Sequence, residues 1–352
     1  MPSRISFTNV SSNFPFLKDL FPRMRSFPLI LFLIAACTLG CSPSSSTPTQ
    51  REQYLMGTSV TISISGVRPD EANRAADLAF REIRRIEEMM STFLPESEVS
   101  LVNRSAGVSW TSVHPELLMV IREALRYGRL SDGAFDITYK PLSGLWSFEP
   151  DSRPPDPEEV RKILPLINYQ AVRIDDQGRI LLEHPGMAMG LGGIAKGYAV
   201  DRAVAVLQEQ GITNAIVNAG GDLRALGRRS TDRTWRIGIQ DPRERGEIIR
   251  TVAITQGALA TSGDYEKYFL YQNRRYHHIL DPRTGFPARG CRSVTVIAPA
   301  TMMADAMATA VFLLGPEKGM ALIQELPDIE GMIIDETGKI ITSAGFIQEG
   351  TP

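Results

Sequence analysis

The stretch MMADAMATAVFLLG, residues 302–315, is made almost wholly of small and apolar side chains, yet it carries a carboxylate, Asp305, and a hydroxyl, Thr309. Their i, i+4 spacing sets both oxygens on one face of a helix, one above the other. A carboxylate buried without compensation costs several kcal/mol or takes up a proton. Three arrangements supply compensation: an exposed helix edge, an arginine partner from elsewhere, or a hard divalent cation held by the two oxygens. The segment alone leaves all three open.

Other stretches carry chemistry of their own. GLGGIAKGYAVD, 190–201, puts three glycines and Lys196 at the entrance of a helix. Glycines let a backbone approach a ligand closely, and the N–H groups and dipole of a first helical turn favour an anion such as phosphate. Tight helix-on-strand packing is the bland alternative, and the spacing is neither that of a P-loop nor that of a dinucleotide fingerprint. NAGGD, 218–222, ends a strand in a glycine pair with Asp222 beyond, which most often means a turn. In SDGAFDIT, 131–138, Phe135 beside Asp136 suits a planar ring with polar edges, or a capped loop with a core phenylalanine. TSGDYEKYF (261–269) and YHHILDPRTGFP (276–287) complete the set, the latter with a turn sequence from Asp281 to Gly285. His277 and His278 are two of only four histidines, and alternation along a strand lets only one face a given site. A neutral imidazole beside an aspartate can carry protons near pH 7, although a lone histidine is more often structural. No Ser-His-Asp order, HExxH or CxxC occurs, so hydrolase triads, zincins and thiol redox chemistry have no foothold.

The elements that must position these residues can be read from periodicity. Val60, Ile62 and Ile64 alternate as a half-buried strand within 57–66, and the run from Asp70 to Met90 has apolar residues at helical spacing, as do residues 115–130. Residues 171–183 read as a hairpin around Asp-Gln-Gly, and 194–211 as a helix ending at a capping glycine, followed by a short buried strand in NAIVNAGG. Further strands are expected near 235–239, 251–255, 275–280 and 293–298, then the helix at 302–315, another from Pro316 to Leu326, and strands near 331 and 340. Hairpins mixed with helices predict an α+β fold of mixed or antiparallel sheets with packed helices, a single catalytic unit over 52–348 of one or two lobes. The 352 residues carry a net charge of only −2, which points to neither nucleic acid nor an anionic membrane surface.

The N-terminus is distinct. LILFLIAA, residues 29–36, follows Arg23 and Arg25 and is too short to span a bilayer, but has the length of a secretory apolar region. Cys37 and Cys41 come next, and the shape resembles a bacterial lipoprotein signal. Cys41 is the favoured lipidation site, because SPSSSTPTQ follows it directly and a start at Met24 gives it a signal of normal proportions. Residues 1–41 are then signal and anchor and 42–51 a flexible tether, which leaves Cys291 as the one thiol of the mature chain and excludes an internal disulfide.

Taken in order, MGT (56–58), GAFDIT leading to PLSGLW, GLGGIAKGYAVD, NAGGD, TSGDYEKYF, HILDPRTGFP and ADAMATAVFLLG resemble the bacterial FAD:protein FMN transferases, the ApbE family, over roughly residues 52–345. The resemblance implies a periplasmic, lipid-anchored enzyme, with the inner membrane favoured. It implies that FAD and Mg²⁺, with Mn²⁺ as the alternative ion, are bound and that FMN is transferred through a phosphoester bond to a threonine of a target flavoprotein. Such targets include subunits of Rnf and sodium-pumping NADH:quinone oxidoreductase complexes. By the same resemblance the metal ligands fall on Asp305, Thr309 and the carbonyl of Gly193. Contacts to the flavin nucleotide fall on Met56, Ala134, Phe135, Asp136, Lys196 and His278. His278, with Asp281, is the expected aid to removal of the threonine proton. Gly190 departs from the acidic residue usual before L-G-G, and His277 stands where Ser or Gly is common. The rival readings are an FAD pyrophosphatase that uses water as acceptor and a non-catalytic flavin-binding lipoprotein.

Overall fold

Strand β1 (Thr49–Leu55) and strand β2 (Thr58–Ile64) form a hairpin whose two turn residues, Met56 and Gly57, have φ of 54° and 72°. Two left-handed residues are what a two-residue turn needs to match strand twist. A computed structural model describes residues 47–346; the expected signal segment, with Cys37 and Cys41, lies outside the described residues. The tether is shorter than expected, because residues 49–51 already pair with β2. Val60, Ile62 and Ile64 all point into the core, each contributing roughly 1.5–3 kcal/mol by burial.

Pro69 opens the long amphipathic helix α1 (Pro69–Met90), and Asp70 and Glu71 in its first turn suit the helix dipole. Helix α2 (Glu98–Arg104) and helix α3 (Pro115–Leu130) follow, then helix α4 (Pro157–Ile163) and the small hairpin of β3 (Val172–Ile174) with β4 (Ile180–Leu182). Helix α5 (Ala195–Glu209) stops before Gly211, whose φ of 78° ends it as the sequence foretells. Strands β5 (Ala215–Ala219) and β6 (Asp222–Leu226) make the next hairpin, β7 (Trp235–Gln240) and β8 (Ile248–Ile254) another. Strand β9 (Gly257–Gly263) leads to the hairpin of β10 (Tyr268–Tyr271) and β11 (Arg274–His277), then to β12 (Cys291–Ala298). Helices α6 (Thr301–Leu314) and α7 (Pro316–Glu325) precede β13 (Glu330–Asp335) and β14 (Ile340–Thr342).

One antiparallel sheet, in the order β1-β2-β5-β6-β9-β12-β13-β14, organises the molecule, and the described residues fall in one compact unit rather than two lobes. Its two faces differ. Val60, Val217, Ala258, Ala260, Val294 and Ile333 meet the helices in the main core. Leu223, Leu259, Met332 and Ile334 point the other way and pack with Ile239 and Val252 of the β7–β8 hairpin. Alternation therefore assigns each strand residue to one layer, and Asp222, Arg224 and Ser262 fall on the helical side. The turn at 56–57, the turn at 220–221 and the C-terminal end of β9 share one end of the sheet, since Val60 pairs with Ala219 and Leu223 with Leu259.

Candidate active site

Helices α5 and α6 cross so closely that a Cβ on Gly197 would lie 2.3 Å from the Thr301 carbonyl oxygen. Only glycine fits there, and the crossing brings the Gly197 N–H to Asp305 Oδ2 at 3.0 Å. Asp201, which closes the GLGGIAKGYAVD motif, locks the crossing. Its carboxylate accepts the N–H groups of Thr301 and Met302, each at 2.9 Å, together with a 2.6 Å hydrogen bond from Arg224. It thereby caps α6, whose own N-cap residue, Ala300, has no side-chain acceptor.

Asp305 is buried, with 3 % exposure, and Lys196 rather than an arginine is its cationic neighbour. Lys196 Nζ lies 3.5 Å from Oδ1 while donating a hydrogen bond to Asp222, also 3 % exposed. Two buried carboxylates thus share one ammonium. Burial, then the negative charge of Asp305, push the Asp222 carboxyl up to about 7 against the pull of Lys196. Burial raises Asp305 in the same direction, with Lys196 and the Gly197 N–H opposing. For Lys196, burial disfavours the charge, but the two carboxylates outweigh it and raise its pKa, so the ammonium persists. One negative charge is left over in a site largely closed to water, and a proton or a cation must balance it.

One turn along α6, Thr309 Oγ1 lies 3.2 Å from Ser262 Oγ on β9 and 3.2 Å from the place a Cβ on Gly193 would take. Asp305, Thr309 and Gly193 are therefore brought together, with Ser262 as an added hydroxyl. Among the described residues no three His, Cys, Asp or Glu side chains cluster as a metal site. A cation here would rest on a carboxylate, hydroxyl and backbone oxygens, completed by ligand phosphate, a donor set that suits Mg²⁺.

The remaining expected residues divide. Met56 sits at the tip of the β1–β2 hairpin, anchored by its N–H to Glu87 Oε1 at 2.9 Å, beside the glycine pair that leads to Asp222: a Cβ on Gly220 would meet Thr58 Oγ1 at 2.3 Å. Ala134 and Phe135 are buried, and the Phe135 ring closes against Gly193. Asp136 is engaged within its own loop. Its oxygens accept the Thr138 N–H (2.7 Å), the Thr138 hydroxyl (2.6 Å) and the Tyr169 N–H (2.9 Å), so the carboxylate holds its own loop. Asp281 likewise does not serve His278: the Arg283 N–H, Nε and Nη2 occupy both its oxygens at 2.8–2.9 Å, and Nη2 also donates to Leu313 O. His278 is exposed at the rim, tied through its N–H to Lys267 O at 3.0 Å. The protein around it, then the positive charges of Lys267 and Lys196, push its imidazole pKa down, so the ring is neutral. His277, the other of the pair, is buried on Phe312 with Nε2 bonded to Ala288 O at 2.9 Å.

The ApbE family model matches residues 56–333. The chain belongs to the ApbE family. Among its relatives, the FAD:protein FMN transferase of Klebsiella pneumoniae (strain 342) is 34 % identical over 295 residues, 82 % of this chain and 90 % of that protein. The Vibrio cholerae protein of the same name is 34 % identical over 273 residues, 76 % of this chain and 81 % of its own. Among solved structures, the ApbE protein of Thermotoga maritima superposes with a TM-score of 0.78 at 36 % identity, covering 85 % of this chain and 98 % of its own. The flavin transferase ApbE of Vibrio cholerae gives 0.76 at 31 % identity, with coverage of 85 % and 98 %.

Within this ApbE-family site, sequence reasoning passed over Asp222, Ser262 and Asp201. Asp222 was legible only as a turn, yet a buried lysine demands a counter-charge, and its position in NAGGD on the helical side of β6 is the signal that finds it. Ser262 follows from the strand parity that places Ala258 and Ala260 against α6. Asp201 needed the α5–α6 crossing itself.

Proposed function

We propose that this chain transfers FMN from FAD to a threonine hydroxyl of a target flavoprotein, with Mg²⁺ at the Asp305–Thr309 face and AMP as the other product. The transferase activity and FAD as substrate follow its ApbE relatives, which carry the name FAD:protein FMN transferase. The observation that carries the metal-dependent reading is the pair of buried carboxylates sharing Lys196. Held by Asp305, Thr309 and the Gly193 carbonyl, the ion, Mg²⁺ or in its place Mn²⁺, would withdraw charge from the diphosphate.

The residues of the chain do the rest. Lys196 presents a fixed positive charge to a phosphate oxygen, and in a dry site that charge acts more strongly than in water. Asp222 holds Lys196 on station and keeps it from closing fully on Asp305. His278, neutral and open to the surface where a protein acceptor must arrive, takes the threonine proton as the Oγ–P bond forms and the bridging P–O bond to AMP breaks. Met56, Ala134 and Phe135 line the approach for the flavin nucleotide.

The proposal extends to an enzyme lipid-anchored through Cys41 on the periplasmic side of a bacterial membrane, the inner one favoured. Its targets would be subunits of Rnf or sodium-pumping NADH:quinone oxidoreductase type. The test is intact-mass spectrometry of a candidate acceptor domain incubated with FAD, Mg²⁺ and the chain lacking residues 1–41, with EDTA as control. A metal-dependent gain of one FMN residue with AMP released supports the reading. Free FMN and AMP with an unmodified but valid acceptor favour a pyrophosphatase, and intact FAD favours a binding protein.

A further inference from the structure

Gly190, Gly192 and Gly193 are glycines for a reason their own backbone does not supply, since none has a positive φ. A Cβ on Gly190 would stand 3.1 Å from Cζ and from Oη of Tyr139, one on Gly192 3.2 Å from the same Oη, and one on Gly193 3.1 Å from Cε2 of Phe135. Two aromatic rings therefore lie along the loop that opens α5. The segment bearing them is tied down beside it: Gly190 N–H donates to Ile137 O at 2.7 Å, and Tyr139 forms a parallel bridge with Ala188. Asn103 of α2 holds the loop from the other side through hydrogen bonds of 2.9 and 2.7 Å to the Met189 carbonyl and N–H.

Phe135 is buried, whereas Tyr139 is only half-buried and its neighbour Gly192 is exposed. The Tyr139 hydroxyl stands over the glycines, 3.1 Å from where a Cβ on Gly190 and 3.2 Å from where one on Gly192 would lie, and burial holds its pKa above the ordinary value, so it stays protonated. A protonated phenol has one O–H to donate. A neutral donor at the lip of the glycine loop that leads to Lys196 suits an anionic oxygen and adds no charge to a site that already carries a surplus negative one.

We propose that Tyr139 is a nucleotide-binding residue, its hydroxyl donating to a phosphate oxygen of the bound dinucleotide, and that glycine at 190 makes room for its ring. This rests on the FAD reading above and names a contact that reading does not contain. The contrary view is that Tyr139 only packs on the glycines.

FAD titrations followed by flavin fluorescence, in Mg²⁺ without acceptor, separate the two views, with thermal midpoints taken on the same samples. Tyr139→Phe keeps the ring in place, so the midpoint should hold while the FAD dissociation constant rises about five-fold, the effect of one lost hydrogen bond. Gly190→Ala pushes the ring aside and should weaken FAD similarly. The double variant should lose less than the product of the two, because the displaced ring no longer carries a hydroxyl to misplace. Wild-type binding together with an unchanged Tyr139→Phe dissociation constant overturns the assignment of Tyr139 alone. Wild-type protein that takes no FAD overturns the functional reading and this inference with it.

Discussion

Asp281 and Asp305 sit in two motifs that look equally chemical, and the structure treats them in opposite ways. Asp281 receives three hydrogen bonds from Arg283, two residues along its own turn. Asp136 is similar, with donors from Thr138 and Tyr169. Asp305 and Asp222 are short of donors: one ammonium serves both, and Asp305 adds a single N–H. A carboxylate satisfied within its own loop stabilises the fold. A carboxylate left with surplus charge in a closed place costs stability in the free protein, a cost that persists in evolution when something binds there.

That contrast is broken most directly at Asp305. Asp305→Asn keeps an acceptor for the Gly197 N–H and removes the surplus charge. FMN transfer should fall by on the order of 10³-fold or more, as for loss of a principal electrostatic contact to the reacting group, while the metal-free protein melts no lower than wild type. Near wild-type transfer would remove Asp305 from the metal site. Lys196→Met acts on the same cluster in reverse. Two buried carboxylates then face no cation, and the expected cost is roughly 3 kcal/mol of stability, read by denaturant unfolding, with Mg²⁺ recovering part of it. A variant as stable as wild type without metal would show that the charges are better solvated than their burial implies.

The surplus charge also has a signature in pH. The folded-state pKa of Asp222, pushed to about 7 by burial and by Asp305 against Lys196, lies above the value of about 3.9 for an unperturbed aspartate. A carboxyl raised on folding contributes stability that is fully present below the unfolded pKa and is lost as pH climbs through the folded one. The thermal midpoint of metal-free protein should therefore drop between about pH 5 and 8, Mg²⁺ should flatten the drop, and Asp305→Asn should move it to lower pH. A metal-free midpoint constant over that range would mean that the pair shares no such excess.

How much of this was legible beforehand follows from the distance over which each feature is determined. The α6 pair is written in an i, i+4 interval and β2 in strict alternation, so both could be read locally. The glycine loop was found, but its cause was not, because the rings of Phe135 and Tyr139 arrive from some fifty residues away in sequence. Strands β6 and β9 escaped notice: DLRAL and GALATSG hold few β-branched residues, and their neighbours in the sheet make them strands. The partnership expected between His278 and Asp281 failed for a similar reason. Asp281, Arg283 and Gly285 make a good turn in sequence, but only the folded chain shows that Arg283 folds back on Asp281 instead of reaching solvent.

Asp281→Asn completes the comparison, with the smallest effect and the opposite sign from Asp305→Asn. The substitution weakens a charge-assisted contact that is half open to water, and through it the grip of Arg283 on Leu313 O at the C-terminal end of α6. The expected loss is about 1–2 kcal/mol of stability, typical of a hydrogen bond to a charged group, in urea unfolding. Transfer measured well below the melting range should stay within about three-fold of wild type, since a contact outside the reacting groups contributes little to the barrier. If transfer instead collapses while stability holds, Asp281 acts through His278 after all. The rule that separates the two carboxylates, satisfied within the loop against surplus in the site, would then fail at the place where it was drawn.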